Sequence, residues 1–231
     1  NARDWKSGAP ALVDLDDDGD LDLVFGENSC LDIKTTATGQ FDVVCESFNP
    51  ANNPDNPSYC AYYDDDDFTA SELCCACGGG TGCAVSYFVN NGTARSPQFV
   101  AMTGSSNPFY GLEGLEVGMY STPFFADVDN DGDFDLVLGG SSGALKYFEN
   151  NGNSTAPVFI ARVGGANPFA SVDVHGRSAP ALVDYDKDGD LDLAVGGANG
   201  TIVYYENTGT AELPEYVLVV PSASPFAFVD V

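Results

Sequence analysis

Phe124-Phe-Ala-Asp-Val-Asp-Asn-Asp-Gly-Asp-Phe-Asp-Leu136 recurs almost unchanged twice more, as Ala11-Leu-Val-Asp-Leu-Asp-Asp-Asp-Gly-Asp-Leu-Asp-Leu23 and as Ala181-Leu-Val-Asp-Tyr-Asp-Lys-Asp-Gly-Asp-Leu-Asp-Leu193. Counted from its first aspartate, each copy carries Asp at positions 1, 3, 5, 7 and 9 and Gly at position 6. Carboxylates at positions 1, 3 and 5 of a tight turn converge on one point, and glycine permits the positive φ that closes the turn. Position 7 is expected to offer its backbone carbonyl, and position 9 to close the cage with a carboxylate. Every donor is a hard oxygen, which selects Ca²⁺ over Zn²⁺ or copper. Without a cation, four or five carboxylates in one turn repel one another and their pKa values rise. An EF-hand begins in the same way but needs Glu at position 12 and flanking helices. Position 12 here is Phe25, Leu138 or Val195, within apolar strand-like runs, so that reading fails in all three copies.

Working outward, a second motif follows each acidic segment: Tyr87-Phe-Val-Asn-Asn-Gly-Thr93, Tyr147-Phe-Glu-Asn-Asn-Gly-Asn153 and Tyr204-Tyr-Glu-Asn-Thr-Gly-Thr210. A proline and an aromatic come next (Pro97/Phe99, Pro157/Phe159, Pro214/Tyr216), and an Asn-Pro-Phe or Ser-Pro-Phe element closes each unit at Asn107, Asn167 and Ser224. Asp127 and Asp184 lie 57 residues apart, a period typical of propellers and solenoids. The third unit reads as four short strands, roughly 181–184, 191–195, 201–206 and 215–220, each β-branched or aromatic and bounded by Gly, Asn, Asp or Pro. Four antiparallel strands per unit make a propeller blade, and no 3.6-residue pattern competes. The predicted fold is all-β, with three blades that form part of a larger ring or of a tandem array. One of each Tyr/Phe pair at 87/88, 147/148 and 204/205 is expected to fill the core between blades, with the other facing outward.

The distance from Asp14 to Asp127 is 113 residues, so the first unit carries an insertion of 56. The seven cysteines lie in it or at its end: Cys30, Cys45, Cys60, Cys74, Cys75 and Cys77 within, and Cys83 just after it. The domain division is 1–27 with 83–111 for the first repeat, 28–82 for the insert, 112–168 for the second repeat and 169–231 for the third. A small apolar-poor module with this cysteine density is held by disulfides in an oxidising compartment. Zinc is the rival, but no His lies nearby and the acidic setting suits secretion better. The odd seventh thiol is either free or bridges two chains. The run Asp64–Asp67 lacks glycine alternation and reads as a solvated acidic loop.

Net charge is −27, from 8 Lys+Arg against 35 Asp+Glu, and 16 of those acids lie in the three loops. Such a surface repels nucleic acid and anionic membrane. No apolar run is long enough for insertion into a bilayer, and no signal peptide stands at Asn1, which suggests a mature or excised piece of a longer precursor. Asn91-Gly-Thr, Asn153-Ser-Thr and Asn199-Gly-Thr are N-glycosylation sequons, although Asn-Gly is also an ordinary turn. His175, the single histidine, has no implied nucleophile and reads as structural, and the single Trp5 falls where a preceding blade would join. The segment Ser224-Pro-Phe-Ala-Phe-Val-Asp-Val231 matches Asn167-Pro-Phe-Ala-Ser-Val-Asp-Val174, and Ser7-Gly-Ala-Pro-Ala-Leu-Val-Asp14 matches the residues after Val174. The third unit therefore reads on into the first, as expected either of a unit in a head-to-tail array or of a propeller whose ring seam is cut at this point.

The acidic segments, followed by Leu-Asp-Leu-Val-Phe-Gly, Phe-Asp-Leu-Val-Leu-Gly and Leu-Asp-Leu-Ala-Val-Gly, resemble FG-GAP/VCBS repeats, the repeats of the integrin α-subunit propeller and of many secreted adhesion and polysaccharide-associated proteins. The resemblance covers all but the insert. It implies four-stranded blades with one calcium, about three in all, in the loop between the first two strands of each. The implied ligands are Asp14, Asp16, Asp18, Asp20 and Asp22; Asp127, Asp129, Asp131, Asp133 and Asp135; and Asp184, Asp186, Asp188, Asp190 and Asp192. The insert is similar to small Cys-Cys-x-Cys-Gly-Gly-Gly modules of secreted algal and protist proteins. Together these features point to an extracellular or cell-surface, calcium-binding structural or adhesive module without catalytic residues, whose partners are copies of itself or neighbouring repeats. The alternative is a carbohydrate- or protein-binding propeller, for which Tyr59, Tyr62 and Tyr63 of the insert are candidate contacts to an extracellular glycan or protein.

Overall fold

Each acidic segment joins two antiparallel strands, and each strand pair grows into a four-stranded meander. The computed structural model describes residues 9–26, 85–110, 112 and 120–227. The chain divides into two units, 1–28 with 84–231 and 29–83, and the described residues belong to the first. The seven cysteines, Trp5, Tyr59, Tyr62, Tyr63 and the Asp64–Asp67 run lie outside the described residues.

The first sheet contains β1 (Pro10–Val13), β2 (Asp22–Gly26), β3 (Val85–Asn90) and β4 (Phe99–Ala101). The second contains β5 (Thr122–Ala126), β6 (Asp135–Gly139), β7 (Lys146–Asn150) and β8 (Phe159–Arg162). The third contains β9 (Ser178–Val183), β10 (Asp192–Gly197), β11 (Ile202–Asn207) and β12 (Tyr216–Leu218). Strand order follows chain order in every sheet, and all pairings are antiparallel. The fold is all-β, three propeller-like blades, and no α-helix occurs among the described residues.

β9 starts three residues before the predicted strand. Pro180 pairs with Val195 at a sheet edge, where its missing N–H costs no ladder bond. Pro10 and Pro123 hold the same place opposite Phe25 and Leu138. β12 is shorter than predicted, pairing only with β11 on the opposite edge.

The first strands β1, β5 and β9 are neighbours, and the blades stack face to face through two cores. Strand alternation decides which side chain enters which core. Every residue of β6 is buried: Leu136 and Leu138 point towards the first blade, and Val137 towards the third. On β7, Phe148 joins the first core and Tyr147 the second. The expectation that one ring of each pair faces outward is therefore corrected for the middle blade, whose two faces are both covered. Tyr204 and Tyr205 are likewise both buried, whereas Phe88 of the first blade is half-buried.

The closing Asn-Pro-Phe elements bind the blades together. Asn107 and Asn167 accept hydrogen bonds through Oδ1 from the N–H of Phe109 (2.9 Å) and Phe169 (2.9 Å), forming tight turns that direct these rings inward. Phe109 stacks on Phe159 of the next blade at 5.0 Å, and Phe169 on Tyr216 at 4.8 Å. The blades also approach closely at glycine. A Cβ on Gly26 would lie 2.0 Å from the Ser121 carbonyl oxygen, and one on Gly139 2.3 Å from that of Ser178. At the second seam Ser178 Oγ accepts from Gly140 N (3.0 Å) and Thr122 Oγ1 donates to Ser178 O (2.6 Å), while the buried Tyr216 hydroxyl has no protein partner.

Candidate metal centres

The three acidic loops connect β1 to β2, β5 to β6 and β9 to β10. Two residues in each adopt left-handed backbone. Position 6 is Gly19, Gly132 or Gly189, with φ of 90°, 101° and 102°, as the spacing led us to expect. Position 4 is Asp17, Asn130 or Lys187, with φ of 56°, 58° and 67°. Asp and Asn tolerate that region, and Lys187 adopts it under the same loop geometry.

In the first two loops the position-1 carboxylate caps the turn. Asp14 accepts from the N–H of Asp18 (3.1 Å) and of Gly19 (3.0 Å), and Asp127 from that of Asp131 (3.0 Å) and of Gly132 (3.1 Å). Position 5 accepts from the N–H of position 7 in every loop, at 2.9–3.2 Å. These bonds gather the carboxylates: one oxygen from each of Asp14, Asp16 and Asp18 lies within 4.8 Å of the others, and the same holds for Asp127, Asp129 and Asp131 and for Asp184, Asp186 and Asp188.

Several oxygens in the acidic loops are buried with no protein partner: Oδ1 of Asp16, Asp129 and Asp184 in the clusters, and of Asp133 and Asp190 beside them in sequence. A buried carboxylate oxygen without a donor is costly. Burial, followed by repulsion from neighbouring carboxylates, holds the pKa values of Asp16, Asp129 and Asp190 above the usual carboxylate range and pushes Asp133 up to about 6. A divalent cation would relieve both costs, and the all-oxygen donor set fits Ca²⁺. In the second and third loops the position-7 side chains Asp133 and Asp190 each carry one of these unpaired carboxylate oxygens.

The structure gives the position-9 carboxylates other partners. Asp22 accepts from Leu15 N (3.3 Å), Tyr87 Oη (2.7 Å) and Asn90 N (2.7 Å). Asp135 repeats the pattern with Val128 N (3.0 Å), Tyr147 Oη (2.9 Å) and Asn150 N (2.8 Å). Asp192 accepts from Tyr185 N (3.2 Å) and Asn207 N (2.9 Å). All three are buried, each tying its loop to the third strand of its own blade. The asparagine side chains extend the tie. Oδ1 of Asn90 accepts from Gly92 N and Gln98 N, that of Asn150 from Gly152 N and Val158 N, and that of Asn207 from Gly209 N and Glu215 N, at 2.8–3.0 Å. This accounts for the Tyr-x-x-Asn-x-Gly motif: asparagine, joined in the first two blades by tyrosine, holds the acidic loop and organises the turn into the fourth strand. Sequence reasoning saw the motif but not its link to the aspartate, which is a pairing across strands.

The sequon asparagines Asn91, Asn153 and Asn199 are all exposed. Oδ1 of Asn153 and of Asn199 accepts from the hydroxyl of the threonine two residues on, at 2.8 and 2.7 Å. His175 sits exposed in a left-handed turn (φ 53°), its Nδ1 3.5 Å from the Asp173 carboxylate. No helix among the described residues is long and apolar enough to cross a membrane.

Residues 127–195 match the FG-GAP-like repeat, a stretch that spans the second acidic loop, the second blade's closing element and the third loop with its second strand. No curated protein matches the sequence significantly.

Proposed function

We propose that this chain is an extracellular or cell-surface repeat module with a structural or adhesive role and no catalytic one, stiffened by calcium and assembled with copies of itself or with neighbouring repeats. The observation that carries the calcium reading is the set of buried carboxylate oxygens left without donors in three equivalent aspartate clusters. The proposed ligands are Asp14, Asp16 and Asp18; Asp127, Asp129, Asp131 and the Asp133 carboxylate; and Asp184, Asp186, Asp188 and the Asp190 carboxylate. Asp22, Asp135 and Asp192 act as latches that hold each loop on its blade. Bound calcium would supply the positive charge that lets these carboxylates stay ionised together. The structural role follows from where the loops sit, each bridging the first two strands of a blade, so that order in the loop is order in the sheet. Disulfides in the insert and glycans on the exposed sequon asparagines belong to the same secreted reading.

Calorimetric titration of chelator-treated protein with calcium tests the proposal. Three sites are expected, with melting temperature rising as they fill. At a hundred times Kd, each site adds about 2.7 kcal/mol. Absence of binding heat and an unchanged melting temperature would refute the calcium role, and preference for magnesium would refute the choice of metal.

A further inference from the structure

The middle blade is covered on both faces, whereas blades one and three each have one face against which, among the described residues, no other blade packs. Phe159 and Tyr216, the fourth-strand aromatics of the second and third blades, are 5% and 7% exposed because the preceding blade's Phe109 or Phe169 stacks on them. Their counterpart in the first blade is Phe99, 41% exposed. At the other end, Phe226 occupies the place of Phe109 and Phe169, and its turn is formed by Ser224 Oγ accepting from the Phe226 N–H (3.1 Å). Among the described residues its ring meets only Tyr185 and Tyr204 of its own blade, at 6.1 and 6.0 Å. Tyr185 is 50% exposed, whereas Val128, at the same position of the middle blade, is 3% exposed.

Glycine gives an independent sign. Gly26 and Gly139 end the second strands of their blades, where the carbonyl of the following blade passes too close for any side chain. Gly196 holds the same position in the third blade, yet among the described residues a Cβ there would meet nothing nearer than Ala179 at 3.8 Å. Glycine inside a strand weakens it unless another backbone comes close.

We propose that the open face of the third blade, centred on Gly196 and Phe226, receives the first blade of a second copy of this chain, with Phe226 of one copy stacking on Phe99 of the other. The contact continues the two seams already present within the chain, in the same direction, and the two faces differ, so the assembly is head to tail. The proposal rests on the repeat-module reading above and names its interface. If the assembly closes, two copies make a ring of six blades, within the usual range of roughly four to eight; if it does not, it forms a filament.

Sedimentation of the wild-type chain in calcium, together with two variants, tests this. Gly196→Val adds a side chain where the isolated chain has room but a docked blade does not. Phe99→Asp puts charge on the opposite face. Each variant should keep its fold and calcium stoichiometry and sediment as a monomer, with self-association weakened about a hundredfold. An equimolar mixture should form a dimer of one chain of each kind, since one brings an intact third-blade face and the other an intact first-blade face. A wild-type chain that stays monomeric at 100-fold dilution steps up to the highest soluble concentration overturns the proposal. So does assembly of Gly196→Val at wild-type strength, or a Phe99→Asp homodimer, which would mean that third blades meet one another. Closed wild-type rings that both variants abolish would support this interface while refuting the filament form of the structural reading.

Discussion

Replacing Tyr147 with phenylalanine removes one hydroxyl and nothing else from the second blade's latch. That hydroxyl donates at 2.9 Å to Asp135, which is buried and takes its other two bonds from the N–H groups of Val128 and Asn150. The ring stays in place, packed edge-on against Phe169 at 5.8 Å, so no cavity opens. The cost is then that of one donor to a carboxylate, about 1.5–3 kcal/mol when the acceptor is charged and nearer 1 kcal/mol when it is neutral. Burial pushes the Asp135 carboxyl up to about 7 in the absence of metal. The loss should therefore be larger at pH 8 than at pH 5.5. Urea unfolding of the two proteins at both pH values measures it. Thermal midpoints offer a second readout, each kcal/mol corresponding to about 2–4 °C for a unit of this size. Calcium stoichiometry should remain three, because the latch carboxylate is engaged by protein donors. Unchanged stability at pH 8, or loss of one calcium site with stability intact, would refute the latch and return Asp135 to the ligand set.

Three further outcomes are expected. Asp16→Asn, Asp129→Asn and Asp186→Asn should each remove or weaken one calcium site and leave the other two, read by calorimetric stoichiometry, because the clusters lie in separate loops. In chelator, stability should fall as pH rises from about 4 to 7, as Asp133 and then Asp135, pushed up to about 6 and about 7, lose their protons in the folded chain. Asp133 titrates at about 6 in the folded chain against an unperturbed value of 3.8, so the folded state binds more protons between those values and loses that advantage above them. Excess calcium should reverse the slope, since the ion competes with those protons, and unfolding curves across the pH range in each condition check both signs. Gly139→Ala should destabilise by about 1–3 kcal/mol or prevent folding, because its Cβ would fall 2.3 Å from the Ser178 carbonyl oxygen, whereas Gly196→Ala should be neutral or slightly stabilising in the monomer by thermal unfolding.

Much of this molecule is written in local pattern. The alternating aspartates with glycine at position 6 determine the loop, because turn geometry is set by φ at a few adjacent residues and by bonds spanning four or five positions, such as Asp14 to Asp18 and Gly19. The short apolar runs determine strands, and three copies of one unit determine repeated blades, since each run is too short and too turn-bounded to become anything else. What lay beyond the sequence depends on neighbours far along the chain. Tyr87 and Asn90 reach Asp22 across an interval of more than 60 residues, which ties the ninth-position aspartate to the third strand of its blade. Whether both rings of a pair are buried depends on what covers the sheet: neighbouring blades on both sides for Tyr147 and Phe148, and Tyr185 and Phe226 of its own blade for Tyr204. The same physics separates Phe159 from Phe99 and Gly139 from Gly196. Sequence alone makes these residues equivalent, and only the presence or absence of an adjoining blade determines which are buried and which lie open.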